Sequence, residues 1–278
     1  LQCMKMEILA SWMNQDSFIL AEESRIAGNV LVINQCNQYG IAEMMHDSSR
    51  WRMILTKDRG LSRSRNLALD NAEAEICLLC DDDEIFADGY EAIIEESFRK
   101  LPEADIIGFN VEGKETRLEQ KIQRIGKWKS LRLSSVQLAF RRESIEKYGI
   151  RFDECLGSGS GNGPGEENKF LLDAIRKGLK LYYDPKTIAR LRDGNLQADT
   201  SEWFSGFDKT FFYQRGGGTR YMLGLPVSVA YGFYYLYAKR RFYRSELTTW
   251  QAARALFAGI WENRVSKQAW KEKKKCKK

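Results

Sequence analysis

Three consecutive aspartates, Asp81, Asp82 and Asp83, directly follow an apolar run at residues 76–80. Mg²⁺ and Mn²⁺ prefer oxygen ligands, and in proteins they commonly bridge one or two carboxylates to a phosphate of the substrate. An apolar strand that ends in carboxylates is therefore predicted to hold a divalent cation, Mn²⁺ or Mg²⁺.

An arginine-rich segment precedes these carboxylates in the chain. It contains Arg59, Arg63 and Arg65 and ends at Asn66. Guanidinium groups bind phosphate through charged hydrogen bonds that are often bidentate. A metal-binding strand end next to a phosphate-binding segment predicts an enzyme that acts on a nucleotide-activated substrate.

The elements that must position these residues alternate along the first half of the chain. Short apolar runs predict five strands, at residues 7–11, 30–34, 52–55, 76–80 and 105–109. Helical patterns lie between them, at residues 62–71 and 88–98, and Asp88 with Glu91 resembles a capping box. Strands that alternate with helices favour an α/β fold with a mainly parallel sheet covered on both faces. Ligands bind such sheets at the carboxyl ends of strands, which is where the three aspartates lie.

A glycine-rich segment marks the second half of the chain. Polar residues 114–129 and a predicted strand at 136–140 come first, and residues 156–165 then contain five glycines. This composition predicts a loop that flexes or lets its backbone approach a ligand. Glu166 and Glu167 follow and open a predicted helix that runs to about residue 177. Carboxylates also suit the positive end of a helix dipole, so simple capping is an alternative role for both.

The C-terminal region is aromatic and basic. Residues 221–238 carry no charge, yet they include Gly224, Pro226 and five tyrosines. Because tyrosine prefers a membrane interface to the hydrocarbon centre, we predict a helix that packs on the protein or lies on a membrane surface. Thr248 with Gln251 predicts the start of another helix, whose aromatic stripe indicates either core packing or docking.

The net charge and the cysteines indicate the cell compartment of the protein and the kinds of partner that it binds. The net charge is +6, and residues 271–278 hold six lysines and one glutamate, which predicts a solvated tail or attraction to anionic lipid. Of the six cysteines, only Cys77 and Cys80 have C-x-x-C spacing, and they lie in an apolar strand. Buried free thiols in a reducing cytosol are therefore favoured over a zinc site. The start of the sequence lacks a signal-peptide pattern, which also favours the cytoplasm.

Three segments together resemble inverting glycosyltransferases of family 2, which have the Rossmann-like GT-A fold and include bacterial polysaccharide enzymes. Residues 59–68, RGLSRSRNLA, resemble the family's segment that leads to Ala-Arg-Asn. Residues 78–83, LLCDDD, resemble its strand that ends in the DxD motif, and residues 165–167, GEE, resemble its acceptor-side Gly-Glu-Asp. The resemblance covers roughly residues 5–195.

The resemblance implies metal-dependent transfer of a sugar from a nucleoside diphosphate sugar, with a UDP-sugar expected first. The acceptor would be a glycan or a lipid-linked oligosaccharide in cell-surface polysaccharide synthesis. Asp83 would contact the metal, and Asp81 would lie nearer the ribose or the metal's waters. Arg65 would neutralise charge on the departing diphosphate. Glu167, or Glu166 beside it, would accept the proton of the attacking hydroxyl, and a single displacement inverts the anomeric carbon.

The sequence departs from the family where the nucleobase binds. The usual Pro-x-Tyr-Asn is replaced, so Ser11, Trp12 and Asn14 become the candidate base contacts. The second strand ends in Asn34 rather than aspartate, and an amide offers both the donor and the acceptor that uracil requires. The family's usual histidine metal ligand is also missing from its expected place, and Asp193 is a candidate substitute.

The predicted organisation is a catalytic domain followed by a membrane-associating region. The catalytic domain covers residues 4–200, with a nucleotide-sugar-binding half at 4–110 and an acceptor-side half at 111–200. Residues 201–278 form a C-terminal helical region that is predicted to meet an anionic membrane surface. The expected location is therefore the cytoplasm, peripheral to the inner face of the cell membrane.

Two other functions compete with this interpretation. A nucleotidyltransferase would use a similar sheet and metal, but it needs a glycine-rich first loop, and residues 11–18 contain no glycine. A non-catalytic basic module would bind membrane or nucleic acid through the C-terminal region. That module leaves residues 81–83 unexplained, because carboxylates repel phosphate unless a metal intervenes, and we expect no nucleic-acid partner.

Overall fold

The computed structural model describes residues 4–114, 116, 118–192, 208–243 and 247–275. The chain divides into two compact units. The first unit comprises Leu1–Phe152 and Glu167–Leu196, and the second comprises Asp153–Glu166 and Gln197–Lys278. The predicted domain boundary at residue 200 stays a prediction.

The first unit is built on one sheet of ten strands. In chain order they are β1 Met6–Met13, β2 Asn29–Gln35, β3 Gly40–His46, β4 Ser49–Thr56, β5 Ile76–Cys80, β6 Glu84–Phe86, β7 Ile106–Glu112, β8 Gln123–Ile125, β9 Leu138–Arg141 and β10 Leu181–Leu191. Nine follow the order β3-β4-β2-β1-β5-β9-β7-β10-β6, and β8 pairs with β10. Six strands, β1, β2, β4, β5, β7 and β10, point the same way, so their carboxyl ends share one edge.

Helices cover both faces of this sheet. In chain order they are α1 Ile19–Glu23, α2 Leu61–Asn71, α3 Tyr90–Lys100, α4 Lys127–Ser130, α5 Arg142–Lys147 and α6 Glu166–Arg176. Because successive strand residues point to opposite faces, Ile8 packs in one core cluster and Leu9 in the other. The first cluster takes side chains from α1 and α3, and the second takes side chains from α2, α5 and α6. This arrangement confirms the predicted α/β fold class.

Local details of the first unit differ from the sequence predictions, and strands β6, β8 and β10 are among the elements that were not predicted. Helix α3 begins at Tyr90 after Gly89, whose φ is +74°, and no side chain caps it, so the Asp88 capping box was wrong. Strand β3 was not predicted, because it is an edge strand whose apolar side chains, such as Ile41 and Met45, are exposed. The thiols of Cys77 and Cys80 are free and buried, as predicted.

The second unit contains four further helices. They are α7 Lys209–Leu223, α8 Leu225–Tyr243, α9 Thr249–Glu262 and α10 Arg264–Lys275. Gly224, with a φ of +78°, separates α7 from α8, so the single helix predicted at residues 221–238 is two helices. The predicted start of α9 is confirmed, since Thr248 Oγ1 accepts a hydrogen bond from the Gln251 amide at 3.2 Å.

Glycines let α7 and α9 pack backbone to backbone. A Cβ atom at Gly216 would collide with the carbonyl oxygen of Leu256, and one at Gly259 would collide with the carbonyl oxygen of Tyr213. Apolar side chains such as Phe212 complete the core around this crossing. No described helix is both long and apolar enough to span a membrane.

Candidate active site

The acidic turn, residues 81–83, joins the end of β5 to the start of β6. Its backbone is held from two sides. The indole Nε1 of Trp12, on β1, donates a hydrogen bond to the carbonyl oxygen of Asp81 at 3.2 Å. The amide of Arg192, just after β10, donates to the carbonyl oxygen of Asp83 at 2.7 Å. The turn is therefore fixed at the carboxyl edge of the sheet, where the sequence predicted a ligand site.

A buried arginine holds the first carboxylate of the acidic turn. Arg65 lies in α2 and is only 1% exposed. Its guanidinium donates to Asp81 Oδ1 and to Ser135 Oγ, both at 2.8 Å, and it lies 5.4 Å from the ring centre of Phe152. A buried guanidinium needs such partners to offset the loss of hydration. Arg65 thus fixes the position of Asp81.

Negative charge accumulates on the acidic turn. Burial, together with the charges of Asp81 and Asp83, raises the pKa of Asp82 to about 6. Burial and the charge of Asp81 also raise the pKa of Asp83, whereas the charges of Lys114 and Arg192 oppose that shift. Carboxylates that repel one another in this way are stabilised by a bound cation.

The donor set fits a cation that is shared with a substrate. Among residues 4–114, 116, 118–192, 208–243 and 247–275, no three His, Cys, Asp or Glu side chains gather around one metal position. Mg²⁺ usually binds through one or two carboxylates, and waters and phosphate oxygens complete its shell. Asp83 and Asp81 are the two carboxylates that the sequence predicts for that smaller set, and metal binding by them stays a prediction. Asp193 lies outside the described residues.

The residues predicted to contact the nucleotide surround the ends of β1 and β2. Asn14 is exposed in the turn after β1 and has a left-handed φ of +51°. Ser11 is buried and accepts a hydrogen bond from the hydroxyl of Ser64 at 3.0 Å. Arg59 donates to the carbonyl oxygen of Cys36 at 2.9 Å, and Arg63 is exposed on α2. Asn14 and Arg63 are the members of this group that solvent reaches most readily.

Two of the asparagine side chains that were predicted to contact the nucleotide form hydrogen bonds within the protein. Asn34 is fully buried, donates to the carbonyl oxygen of Gln15 at 2.6 Å and accepts from the Gln15 amide at 3.0 Å. Asn66 donates to the carbonyl oxygen of Phe152 and accepts from its amide, both at 2.9 Å. These contacts position the loop after β1 and the ring beside Arg65. Ligand contact by either amide stays a prediction.

The two candidate bases at the start of α6 have different surroundings. Glu166 is 4% exposed, and its Oε2 accepts a hydrogen bond from the amide of Gly165 at 3.0 Å. Glu167 is half-buried. A general base must come within hydrogen-bond reach of the substrate proton. The accessibility of Glu167 suits that task, whereas Glu166 supports the end of the preceding loop.

Sequence interpretation missed three residues near the acidic turn: Ser135, Lys114 and Arg192. Ser135 belongs to a short 3₁₀ turn opened by Ser134 and Gln137, whose capping-box pattern is visible in the sequence. Lys114 and Arg192 follow the ends of β7 and β10. Because β10 was not predicted, nothing in the sequence indicated that Arg192 reaches the acidic turn.

Comparison with known proteins finds the fold in solved structures. No family model and no curated protein matches the chain. The crystal structure of S. aureus TarS is similar to 78% of the chain, with a TM-score of 0.51 and 14% identity. The match covers 39% of that TarS chain, so this chain spans about two-fifths of its length.

A shorter TarS fragment was solved with ligands. S. aureus TarS 1-349 in complex with UDP-GlcNAc is similar to 95% of this chain and 73% of its own length, with a TM-score of 0.56 and 13% identity. The same fragment in complex with UDP gives a TM-score of 0.54 at 13% identity and covers 95% and 72% of the two chains. At such low identity the similarity shows a shared fold, which agrees with the predicted GT-A class.

Proposed function

We propose that this protein is a metal-dependent, inverting glycosyltransferase of family 2. It transfers a sugar from a nucleoside diphosphate sugar, a UDP-sugar foremost, to a glycan or lipid-linked acceptor in cell-surface polysaccharide synthesis. The observation that carries the proposal is the acidic turn at the carboxyl edge, where Asp83 lies beside the Arg65–Asp81 pair. Similarity to TarS 1-349, which was solved with UDP-GlcNAc and with UDP, supports this class of donor.

On the donor side, Asp83 and Asp81 would hold Mn²⁺ or Mg²⁺. Such a cation, when bound, supplies positive charge to the leaving diphosphate. Arg65 acts as a positioning residue, because its guanidinium is buried against Asp81 and Ser135. Arg63 lies two residues earlier on α2 and is exposed. It is therefore better placed to contact a phosphate oxygen.

On the acceptor side, Glu167 would remove the proton from the attacking hydroxyl. The oxygen then attacks the anomeric carbon in line with the bond to the diphosphate, and that bond breaks as the new glycosidic bond forms. Proton removal by a positioned carboxylate contributes about 10²–10⁴-fold to such a step. Inversion at the anomeric carbon follows from the single displacement.

Metal-dependent donor binding tests this proposal. Binding and hydrolysis of UDP-sugars, GDP-sugars and dTDP-sugars are measured with Mn²⁺ and with chelator, for wild type, Asp83→Ala and Asp88→Ala. Asp88 is a matched control, because its side chain is 95% exposed beyond the acidic turn. We expect one donor to bind to wild type and to Asp88→Ala, and to lose binding with chelator or in Asp83→Ala. Equal donor binding by all three proteins, with Mn²⁺ and with chelator, would contradict a metal role for Asp83.

We also propose that the second unit associates with an anionic membrane surface. Residues 208–278 contain sixteen lysines and arginines and four acidic residues, a net charge of +12 in a chain whose total is +6. Large aromatic side chains are exposed on α8 and α9: Phe233, Tyr234, Tyr237, Trp250 and Trp261. The guanidinium of Arg240 lies 4.0 Å from the ring centre of Tyr237. Exposed aromatic side chains together with basic side chains are typical of interfacial binding to anionic lipid.

A further inference from the structure

A cavity in the first unit opens at the carboxyl end of β7. Its volume is about 630 Å³, within the roughly 300–1,000 Å³ that is usual for small-molecule sites. The cavity is lined by amides, hydroxyls, one acidic side chain, one basic side chain and a few apolar residues. The lining residues are Asn110, Val111, Glu112, Gly113, Lys114, Thr116, Leu118, Gln120 and Thr187. The nucleotide contacts predicted from the sequence include none of these residues.

The polar side chains of this cavity are ordered by one another. The buried Tyr183 donates its hydroxyl proton to Asn110 Oδ1. Asn110 Nδ2 in turn donates to the carbonyl oxygen of Pro185 at 2.8 Å and to Gln120 Oε1 at 3.1 Å. The hydroxyl of Thr116 lies 3.5 Å from that of Tyr183. Side chains fixed in advance lose less conformational entropy when a ligand binds.

A short chain of contacts connects the cavity to the acidic turn. Gly113, at its mouth, packs so closely on Leu191 that a Cβ atom there would lie 3.1 Å from Leu191 Cδ1. The next residue, Arg192, donates its backbone amide to Asp83 at 2.7 Å. Lys114, which follows Gly113 in the chain, also lines the cavity. A group bound in the cavity would therefore lie next to whatever binds the acidic turn.

The order of the strands indicates how a nucleotide-sugar donor would be oriented along the carboxyl edge of the sheet. The candidate nucleoside contacts are at the ends of β1 and β2, the acidic turn follows β5, and the cavity is at β7 and β10, on the far side of β5. A nucleotide sugar along this edge would place its nucleoside, diphosphate and sugar in that order. Amides and hydroxyls offer both donors and acceptors, which is what sugar hydroxyl groups require.

We propose that this cavity binds the sugar ring of the nucleotide-sugar donor, with Lys114 and Gln120 as contacts to its hydroxyl or N-acetyl oxygens. The inference rests on the proposed function and adds to it the site that selects the transferred sugar. It assigns a role in sugar specificity to the residues that line the cavity, most of which belong to the predicted acceptor-side half at 111–200.

The test compares UDP, which has no sugar, with UDP-glucose and UDP-GlcNAc. Dissociation constants are measured by calorimetry with Mn²⁺ for wild type, Lys114→Gln, Gln120→Leu and Lys121→Gln. Lys121 is the matched control, because it is exposed beside the cavity, pairs with Glu119 and does not line the cavity. We expect Lys114→Gln and Gln120→Leu to weaken binding of a UDP-sugar by about 5- to 100-fold, as loss of a hydrogen bond to a buried group does. Binding of UDP should stay within about twofold of wild type in every variant.

Three outcomes would overturn the inference. Unchanged UDP-sugar binding in both variants would exclude the cavity as the sugar site, while UDP binding by the wild type would leave the proposed function standing. Equal weakening of UDP and UDP-sugar binding would show that Lys114 contacts phosphate and not sugar. If wild type bound neither UDP nor a UDP-sugar, the proposed function itself would fail, and the sugar site with it. Thr187→Val, which removes a lining hydroxyl, replaces either variant that does not fold.

Discussion

The guanidinium of Arg65 and the carboxylate of Asp81 form an ion pair of 2.8 Å in which the two partners differ in burial. The Arg65 side chain is 2% exposed, and that of Asp81 is 28% exposed. One side of the carboxylate is therefore already neutralised from within the protein, and the other side faces the cleft. Asp83 has no arginine in such contact among the described ion pairs, so its carboxylate is not paired with a guanidinium in this way.

Asp81 and Asp83 should therefore differ in their effect on stability. Asp81→Ala removes the carboxylate that pairs with the buried Arg65 guanidinium, which keeps its hydrogen bond to Ser135, and should lower the free energy of unfolding by about 3–5 kcal/mol. Asp83→Ala removes a charge that Asp81 repels and should change it by less than about 1 kcal/mol. Urea unfolding of both variants in chelator provides the measurement. Equal losses in the two variants would contradict a stabilising ion pair between Arg65 and Asp81.

Glu167 and Glu166 should separate catalysis from local structure. Glu167→Gln should lower the rate of sugar transfer by about 10²–10⁴-fold, because the amide cannot accept the proton, while the donor dissociation constant stays the same. Glu166→Gln keeps an oxygen that can accept from the Gly165 amide, so its transfer rate should stay within a few-fold of wild type. Single-turnover transfer and donor titration measure the two quantities. A larger rate loss in Glu166→Gln would assign the base to that residue.

Neighbouring glycines in α7 should respond in opposite directions to alanine. Gly216→Ala forces a Cβ atom against the carbonyl oxygen of Leu256 and should destabilise the protein by about 1–3 kcal/mol or more. At Gly217 the nearest atom to an added Cβ is a methyl of Val265 at 3.4 Å, an ordinary contact. Gly217→Ala should therefore be neutral or stabilising, since alanine favours a helix by up to about 1 kcal/mol. Thermal unfolding of both variants measures these stability changes. Equal destabilisation by Gly216→Ala and Gly217→Ala would argue against the backbone contact between α7 and α9.

The exposed tryptophans of α9 should contribute to membrane binding. Trp250 and Trp261 are 75% and 80% exposed, and replacing both by serine should weaken sedimentation with anionic liposomes several-fold. Trp128→Ser is the control, because that side chain is 64% exposed but lies in the first unit. Added salt should weaken binding of every variant, since surface charges are screened. Liposome binding that is the same in wild type and the double variant would refute docking through α9.

The sequence predicted a site where the type of side chain and the hydrophobic pattern of the neighbouring element pointed to the same position. The acidic turn could be placed because an apolar run of five residues led into it, and that run is β5. The burial of individual polar side chains could not be predicted in the same way. Arg65 and Asn34 have side chains suited to a ligand, yet their contacts are with Asp81 and Gln15, and only tertiary structure reveals such partners. Strand β3 was missed for the converse reason, since its apolar residues are exposed.

The position of β9 in the sheet has a consequence for how the chain folds during synthesis. Strand β5 lies between β1 and β9, and Leu78 pairs with Ala139, which is 61 residues further along the chain. Until that residue has left the ribosome, one edge of β5 presents unpaired backbone groups and apolar side chains. Pairing between strands so far apart in the chain slows folding and leaves such edges open to aggregation. The strand that carries the acidic turn is thus complete only after 61 further residues beyond Leu78 have been made.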